Sequence, residues 1–397
     1  MEPLISTQNV WEILATQLQR AASVRQPIEA AVGRTLQEPV VADRDLPPYT
    51  RVMMDGYALR LNDFRARQPL RVTGYQPAGA QGRSLEGLGT CVEVATGAVC
   101  PTGAELVVPY EAVTREAETV RIAETFVLPP NHFLHPCGMD GQQGDVLLAK
   151  GTRLGSRELA VAASCGYATL CVDAIPSIVV FSTGDELVPI EATPEPHQIR
   201  QSNLTALSVA LQMAGFPAAE QAHLPDNPEV LQERVSQALR QHQVMVFTGS
   251  ASKGKADHLP RVLETLGAKK RFHGVAQRPG KPFAFAKGAQ GQSIFLLPGN
   301  PMSAMVGLHR WILPALRNAA GGPATDGQTA RLAQPYSFKQ PMTCFLTVAR
   351  SAEGVRPVPS NNSGDFTTVL ASDGFIELPL EESEFAVGGA FPFFSWQ

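Results

Sequence analysis

The chain has 397 residues, of which 44% are hydrophobic and 18% are charged, and its formal net charge is −4 at pH 7. This length is enough for two to four domains with sizeable cores. The slightly acidic balance excludes wholesale nucleic-acid binding, so any anion site has to be local.

The N-terminus and the cysteines predict a cytoplasmic protein that does not enter a membrane. Residues 1–7 contain no basic region followed by an apolar core, so we expect no signal peptide. No apolar run reaches the ~18 residues that a membrane-spanning helix needs. The six cysteines show no CxxC spacing, which argues against a zinc ribbon or a redox pair. They are typical of buried thiols in a reducing compartment.

The first 175 residues predict one helix and many short strands. An amphipathic helix is expected over residues 6–22, with Val10, Leu14 and Leu18 on one face. Short strands between tight turns follow, among them 70–73, 90–95, 106–109 and 119–122. We therefore expect a small β domain over residues 46–139. Residues 1–45 and 140–175 are expected to form a discontinuous N-terminal domain, although the 6–22 helix also suits packing on the α/β domain that follows.

Residues 176–322 predict a parallel α/β domain, because apolar strands alternate with helical segments. The predicted strands are 177–182, 244–247, 283–286 and 294–297, and the predicted helices are 202–213, 226–239, 259–266 and 302–316, with Ser202-Asn203 as the cap of the first. In such sheets ligands bind at the carboxyl ends of the strands. After Gly321-Gly322-Pro323, residues 323–397 return to short strands and predict a small C-terminal β-barrel domain.

The stretch 244–260 predicts an anion site. A buried strand leads into a loop of small residues, Thr248–Gly254, and a helix begins near Leu259. Backbone N–H groups and the helix N-terminus attract anions there, and Lys253 adds a full positive charge. Asp257 lies in the same turn, where a carboxylate suits a divalent cation shared with a phosphate.

The same loop leaves two other interpretations open. Gly249-x-x-x-x-Gly254-Lys255 matches the first seven positions of a P-loop. The eighth residue is Ala256, where a P-loop has Ser or Thr to hold Mg²⁺, and no strand ending in a Walker-B-like Asp stands out downstream. An ordinary turn between a strand and a helix also has small residues of this kind.

Four segments with charges or rigid turns lie at successive ends of the predicted strands. They are Asp185-Glu186, Gly249–Asp257, Arg278-Pro279-Gly280-Lys281-Pro282 and Pro298-Gly299-Asn300-Pro301. Together they supply carboxylates, backbone donors and cations, which suit a metal-bridged phosphate or another oxyanion. Each segment alone is compatible with a structural turn, but four of them at one edge of a sheet favour a binding site.

Six motifs, in order over nearly the whole chain, carry a family resemblance. They are Met54-Asp55-Gly56-Tyr57-Ala58, Thr96-Gly97-Ala98, Ser182-Thr183-Gly184-Asp185-Glu186-Leu187, Asp226-Asn227-Pro228, Arg278-Pro279-Gly280-Lys281-Pro282-Phe283-Ala284-Phe285 and Leu297-Pro298-Gly299-Asn300-Pro301. The chain resembles the molybdopterin molybdenumtransferase family, which includes MoeA and the gephyrin E domain. The resemblance implies an α/β multidomain fold: a three-layer parallel α/β domain of the molybdopterin-binding type, a β-rich domain, a discontinuous linking domain and a C-terminal small β-barrel.

The resemblance also implies a reaction, partners and site residues. Molybdate is inserted into adenylylated molybdopterin with Mg²⁺-dependent release of AMP, by a homodimer that works with a molybdopterin adenylyltransferase. The implied catalytic residues are Glu186, Asp257, Asp226, Asp55 and Asp140, with Glu186 and Asp257 as metal ligands. The implied substrate- and anion-binding residues are Thr96, Thr183, Gly249, Ser250, Ser252, Lys253, Gly254, Arg278, Lys281, Pro298, Pro301 and Ser363.

The chain departs from the family pattern at two loops. The family usually has Gly-Gly-x-Ser-x-Gly after the strand, whereas residues 249–254 lack the second glycine and carry Lys253. The family usually has arginines before Gly-Glu-Asp, whereas residues 135–140 read His-Pro-Cys-Gly-Met-Asp. A diverged molybdopterin-binding or scaffold paralogue without turnover is therefore a second hypothesis, and a P-loop-type NTPase is a third.

Overall fold

The computed structural model describes residues 3–251, 258–359 and 365–396. The chain separates into two compact units. The larger contains Met1–Glu38, Lys150–Leu159 and Thr169–Gln397, and the smaller contains Pro39–Ala149 and Ala160–Ala168. Within the described residues, no helix is both long enough and apolar enough to cross a bilayer.

Short strands dominate the first 175 residues. The helices here are α1 (Thr7–Gln17), α2 (Leu61–Ala66) and α3 (Ser156–Ser164), with 3₁₀ turns at Ile28–Ala31 and Tyr110–Ala112. The strands are β1 (Ser23–Pro27), β2 (Val40–Val41), β3 (Arg51–Val52), β4 (Gly56–Leu59), β5 (Leu70–Gln76), β6 (Thr90–Val94), β7 (Leu106–Pro109), β8 (Val113–Glu116), β9 (Thr119–Ile122), β10 (Leu134–His135), β11 (Val146–Leu148) and β12 (Thr169–Asp173). In the smaller unit, six of them form one sheet in the order β7-β4-β6-β5-β9-β8.

Helix α1 is shorter than the 6–22 prediction and packs on the α/β domain. Ser6 is the N-cap and accepts a hydrogen bond from the Asn9 backbone N–H. Val10 and Leu14 are fully buried in the core of that domain. The helix ends at Gln17 because Leu18 is already extended, with ψ of 134°.

Residues 176–320 form the α/β domain. Its strands are β13 (Ile178–Thr183), β14 (Leu187–Val188), β15 (Ile199–Arg200), β16 (Glu220–Leu224), β17 (Val244–Thr248), β18 (Lys269–His273), β20 (Ala284–Lys287) and β21 (Ser293–Leu297), while β19 (Gln277–Arg278) joins another sheet. Its helices are α4 (Ser202–Met213), α5 (Pro228–Gln241), α6 (Leu259–Thr265), α7 (Pro301–Gly307) and α8 (Leu313–Ala319), with a π-helical turn at Leu308–Ile312 between the last two.

The main sheet has the order β16-β13-β17-β21-β20-β18. The first four strands are parallel, as predicted for β13, β17 and β21, whereas β16 was not predicted. The prediction of a parallel strand at 283–286 is wrong, because β20 and β18 run antiparallel to their neighbours. Only residues 288–292 connect β20 to β21, which is too short for the crossover of about a dozen residues that a parallel pair needs. The N-terminal end of β20 therefore lies beside the carboxyl end of β21, since Ala284 is opposite Leu296.

The sheet separates two hydrophobic layers, which makes the domain three-layered. Val180, Val246 and Phe295 face a core that contains residues of α1, α4, α7 and α8. Phe181 and Phe247 face the opposite side, where residues of α5 and α6 cover them. Strands buried on both faces read as continuous apolar runs, which is why β13 and β17 were visible in the sequence.

The C-terminal residues form a small β domain. Its elements are β22 (Thr329–Arg331), β23 (Tyr336–Ser337), β24 (Thr343–Ser351), β25 (Gly354–Pro357), α9 (Phe366–Leu370), β26 (Gly374–Leu378), β27 (Glu384–Phe385) and β28 (Ala390–Ser395). Its main sheet has the order β19-β24-β26-β28-β22, so β19 of the preceding domain is its edge strand. Arg310 also joins the two domains, because its Nε lies 2.8 Å from Glu377 Oε2.

Candidate functional site

The carboxyl ends of β13 and β17 meet at Thr183 and Thr248, the last residues of the two strands. The Thr183 hydroxyl hydrogen-bonds the Ser250 hydroxyl and lies 3.4 Å from the Thr248 carbonyl oxygen. Gly249 has φ of 112°, and a Cβ at this position would lie 2.7 Å from Thr183 Oγ1. A side chain at residue 249 would therefore push the two strand ends apart, so position 249 requires glycine.

Asn203 is a site residue that the sequence analysis did not identify. Its Nδ2 donates to Thr248 Oγ1 at 3.1 Å and to the Gly299 carbonyl oxygen at 2.7 Å. The predicted cap at Ser202-Asn203 is wrong, because α4 has Gln201 as its N-cap and no side-chain cap bond. The Asn203 side chain instead ties the end of β17 to the turn that precedes α7.

Carboxylates gather where β13 and β16 end. Asp185 Oδ1 accepts a hydrogen bond from the Asp226 backbone N–H at 3.0 Å. The Glu186 carboxylate lies over Gly184, since a Cβ added to that glycine would lie 2.8 Å from Glu186 Cδ. Burial raises the pKa of Asp226, the neighbouring Asp185 and Glu186 raise it further, and His258 opposes them. The like charges repel one another, and a bound cation would relieve that repulsion.

The raised pKa of Asp226, caused by burial first and by the neighbouring carboxylates second, predicts that Asp226→Asn stabilises the folded chain. The unfolded carboxyl titrates near its ordinary pKa of 3.8, and the folded carboxyl has a higher pKa. The ionised Asp226 side chain therefore lowers the free energy of unfolding at pH 7, and this loss disappears below the ordinary pKa. We expect Asp226→Asn to gain roughly 0.5 kcal/mol at pH 7, a small value because solvent screens a partly exposed group.

Urea unfolding of the two chains at pH 7, 5.5 and 4.5 measures this gain, which should shrink as the pH falls. Glu191→Gln, at an exposed position, is the control and should show no such trend. An Asp226→Asn chain that is less stable than the unaltered chain at pH 7 would contradict the prediction.

Arg278 and Lys281 lie in a separate cleft of about 930 Å³ between the α/β and C-terminal β domains. Both side chains are exposed. The cleft is lined by 277–282, Pro298, Asn300, Met302 and Ser303 on one side and by Tyr336, Phe338, Gln340, Met342, 344–347 and 357–359 on the other. The cationic turn reaches this place because it joins β19, in the C-terminal sheet, to the antiparallel strand β20.

Gln277 fixes the shape of the cationic turn. Its side chain is fully buried, and Nε2 donates to the carbonyl oxygens of Pro279 and Gly280, both at 3.2 Å. Gln277 Oε1 accepts from Trp311 Nε1 at 3.0 Å. Both the nitrogen and the oxygen of the Gln277 amide are thus hydrogen-bonded, so this side chain ties the cationic turn to the buried Trp311.

The Pro298–Pro301 turn connects the cleft with the strand ends. Pro298 lines the cleft, and its carbonyl oxygen accepts from Thr248 Oγ1 at 3.2 Å. Gly299 packs against Gly249, since a Cβ at Gly299 would lie 3.5 Å from the Gly249 Cα. Pro301 is the first residue of α7. The carboxylates at residues 185, 186 and 226 do not line the cleft, so the structure forms two separate groups. The turn connects the cleft to the end of β17, beside the strand that Asp185 and Glu186 follow.

Three predicted residues belong to the smaller unit. Asp55 Oδ1 accepts from the Thr96 backbone N–H at 2.6 Å and from Thr96 Oγ1 at 2.9 Å, and these hydrogen bonds lower the pKa of Asp55. Asp140 Oδ1 lies 2.9 Å from His135 Nε2, and His135 Nδ1 lies 3.2 Å from Arg51 Nη2. The altered 135–140 loop therefore has a charged partner in Arg51.

Five predicted residues lie outside the described ranges, namely Ser252, Lys253, Gly254, Asp257 and Ser363. Of the two predicted metal ligands, Glu186 is described and Asp257 is not. Among residues 3–251, 258–359 and 365–396, no group of three or more His, Cys, Asp or Glu side chains is arranged to hold a metal ion.

A three-layer α/β domain with carboxylates after two of its strands, together with a separate cationic cleft between it and a small β domain, defines a multidomain protein suited to anionic substrates. Residues 5–166 match the MoeA N-terminal region (domain I and II), residues 179–318 a probable molybdopterin binding domain, and residues 329–396 the MoeA C-terminal region (domain IV). The chain is 36% identical to a molybdopterin molybdenumtransferase of Synechocystis sp. over 99% of this chain and 100% of that one. The chain belongs to the molybdopterin molybdenumtransferase family.

Other relatives agree with this assignment. A molybdopterin molybdenumtransferase of Synechococcus elongatus is 34% identical, covering 92% of each chain. A crystal structure of a molybdopterin biosynthesis MoeA protein from Pyrococcus horikoshii matches with a TM-score of 0.76 and 27% identity over 100% of both chains. The fold and family expected from the sequence motifs are thus confirmed.

Proposed function

We propose that this chain inserts molybdate into adenylylated molybdopterin and releases AMP in a Mg²⁺-dependent reaction of molybdenum cofactor biosynthesis. One observation carries the proposal: Pro298 lines the cationic cleft and accepts a hydrogen bond from Thr248 at the end of β17, and β17 pairs with β13, the strand that Asp185 and Glu186 follow. Insertion needs a place for a dianionic metal oxide and a place for a metal-bridged phosphate. The two groups of side chains supply these two chemistries separately.

The cleft is the proposed molybdate site. Molybdate is a tetrahedral dianion, and Arg278 and Lys281 put two cations on one rigid turn that lines the cleft. Pro298 lines the cleft on the same side, and Pro301, the first residue of α7, ends the turn that shapes this side of the pocket. The aromatic and apolar side chains of the C-terminal domain, such as Phe338 and Phe345, suit the planar pterin beside the anion.

The carboxylate cluster fits Mg²⁺. In phosphate-handling sites this ion is usually held by one or two carboxylates together with substrate phosphates and water. The Asp185 and Glu186 charges that raise the pKa of Asp226 would be compensated by such a cation. Glu186 and Asp257 are the proposed ligands, with Asp226 beside them, and the bound ion would neutralise the phosphate that leaves with AMP.

The start of the glycine loop is the proposed phosphate site. Thr183, Gly249 and Ser250 lie together at the strand ends. The Gly249 backbone N–H already donates to the Leu297 carbonyl oxygen at 3.2 Å, so the proposed donors are the N–H groups that follow Gly249 in the sequence. Ser252, Lys253 and Gly254 continue the same loop in sequence. Ser363 is assigned to the molybdate side of the site on the family resemblance.

The proposal includes three further elements. Asp55, Thr96 and Asp140 contribute to turnover, the protein acts as a homodimer, and a molybdopterin adenylyltransferase supplies its substrate. We also place the enzyme in the cytoplasm.

The test is to incubate the full chain with adenylylated molybdopterin, Mg²⁺ and molybdate and to measure AMP. Release of AMP that requires both molybdate and Mg²⁺ is the expected result. Tight binding of the pterin without AMP release would favour the scaffold hypothesis, which the altered 135–140 and 249–254 loops motivate. ATP hydrolysis without any pterin would favour the P-loop interpretation, and either outcome would overturn the proposal.

A further inference from the structure

A second cavity, of about 170 Å³, lies away from the cleft and shares none of its lining residues. It is enclosed by the end of α4, the π-helical turn with α8, the 325–328 segment and the end of β28. Its polar lining includes Arg153, His309, Arg317, Asp326 and Gln328. The proposed molybdenum chemistry uses none of these residues.

Two residues that line this cavity each have a buried side-chain nitrogen without a hydrogen-bond partner among the described residues. His309 Nε2 and Arg317 Nε are shielded from solvent and have no hydrogen-bond partner among the described residues. Leaving a buried polar group unpaired costs more stability than an ordinary hydrogen bond contributes. Such groups in a cavity of this size point to a ligand that the folded chain is shaped to receive.

The charge around the cavity is positive. Arg153 is held in place by its hydrogen bond to the Ala214 carbonyl oxygen, at 3.0 Å. Burial lowers the pKa of Arg317, and the nearby Arg153 lowers it further, with Asp326 acting in the opposite direction. Two arginines face one exposed carboxylate, so an anion is the ligand that this cavity favours.

His309 adds a hydrogen-bond acceptor. The residue lies in the π-helical turn Leu308–Ile312, a distortion that is frequent at functional sites. Burial lowers the pKa of His309 to about 4, Arg317 contributes, and a hydrogen bond with the Ser395 backbone opposes them. This backbone hydrogen bond raises the pKa of His309, so the imidazole ring is its donor and the Ser395 carbonyl oxygen its acceptor. The neutral ring therefore carries its proton on the nitrogen facing Ser395, and Nε2 presents a lone pair.

We propose that this cavity binds a small tetrahedral oxyanion that carries a hydroxyl group, of the hydrogen phosphate type. Arg153 and Arg317 hold its charged oxygens, and His309 Nε2 accepts the hydrogen bond of its hydroxyl. Sulfate has the same shape and charge but no hydroxyl at neutral pH, so it would leave Nε2 unpaired. The cavity therefore selects phosphate over sulfate.

The test is isothermal titration of the full chain with inorganic phosphate and with sulfate at pH 7.5. We expect phosphate to bind at least about tenfold more tightly than sulfate. Arg317→Met, which keeps the length of the side chain and removes its charge, should weaken phosphate binding at least about tenfold. Arg157→Met is the matched control, because the Arg157 side chain is 90% exposed, and it should bind as the unaltered chain does.

Two results would overturn this inference. One is equal phosphate affinity in Arg317→Met and Arg157→Met. The other is loss of phosphate binding in Arg278→Met but not in Arg317→Met, which would assign the anion to the cleft. If Arg317→Met fails to fold, anomalous scattering from arsenate soaked into crystals of the unaltered chain decides the matter. We expect arsenic within hydrogen-bonding reach of Arg317 and His309, and its absence there would refute the site.

Discussion

Glu186→Gln is expected to lower Mg²⁺-dependent AMP release about 100-fold or more, because a metal ligand supplies several kcal/mol of charge stabilisation. The substitution keeps the size of the side chain that lies over Gly184, so the turn after β13 should keep its shape. The measurement is the initial rate of AMP release across a Mg²⁺ titration. Thermal unfolding of the same chain checks that the fold is intact.

Glu191→Gln is the matched control, because Glu191 is an exposed glutamate on the same segment. Its rate should equal that of the unaltered chain at every Mg²⁺ concentration. If Glu186→Gln and Glu191→Gln turn over equally fast, Glu186 is not a metal ligand. Added molybdate should not rescue Glu186→Gln, since Glu186 is not among the residues that line the proposed molybdate cleft.

Lys281→Met is expected to raise the KM for molybdate about 10- to 100-fold, the loss that a charge-assisted hydrogen bond to an oxyanion implies. Methionine keeps most of the length of the side chain and removes its charge. Lys281 is exposed on a turn that Gln277 holds from behind, so the substitution should leave the cleft intact. The measurement is AMP release across a molybdate titration at saturating Mg²⁺.

High molybdate concentrations should restore kcat in Lys281→Met, which separates this variant from Glu186→Gln. Lys150→Met, at another exposed position, is the control and should keep the KM of the unaltered chain. Arg278→Met should show the same kind of defect, and because the two cations share one turn, the double variant should lose less than the product of the single losses. An unchanged KM for molybdate in Lys281→Met would contradict the proposal that molybdate binds in the cleft.

Strongly periodic elements and chemical motifs were readable from the sequence alone. Strands β13 and β17 appear as apolar runs because both of their faces are buried, and the bounds of β7 and β9 were predicted to the residue. The alternation of strands and helices predicted the α/β domain, and motif order predicted the family. These features depend on the spacing of residues that are close together in the chain, and a single sequence shows that spacing completely.

Edge strands and polar contacts between distant segments were not readable. The charged edge strands β16 and β18 have no apolar pattern, so they were missed. Asn203 looked like a helix cap because a cap and a site residue share the same polar chemistry, and only the approach of Thr248 and Gly299 separates the two roles.

The sequence by itself determined which groups this protein contains: carboxylates after one strand, a glycine after another and two cations on a proline-rich turn. Only the tertiary structure decided how they are grouped. It set the direction of β20, which brings the cationic turn to the carboxyl edge of the sheet, and it left the carboxylates outside the cleft. The physical reason is that strand direction and domain packing depend on contacts between residues far apart in the chain, which no local pattern records.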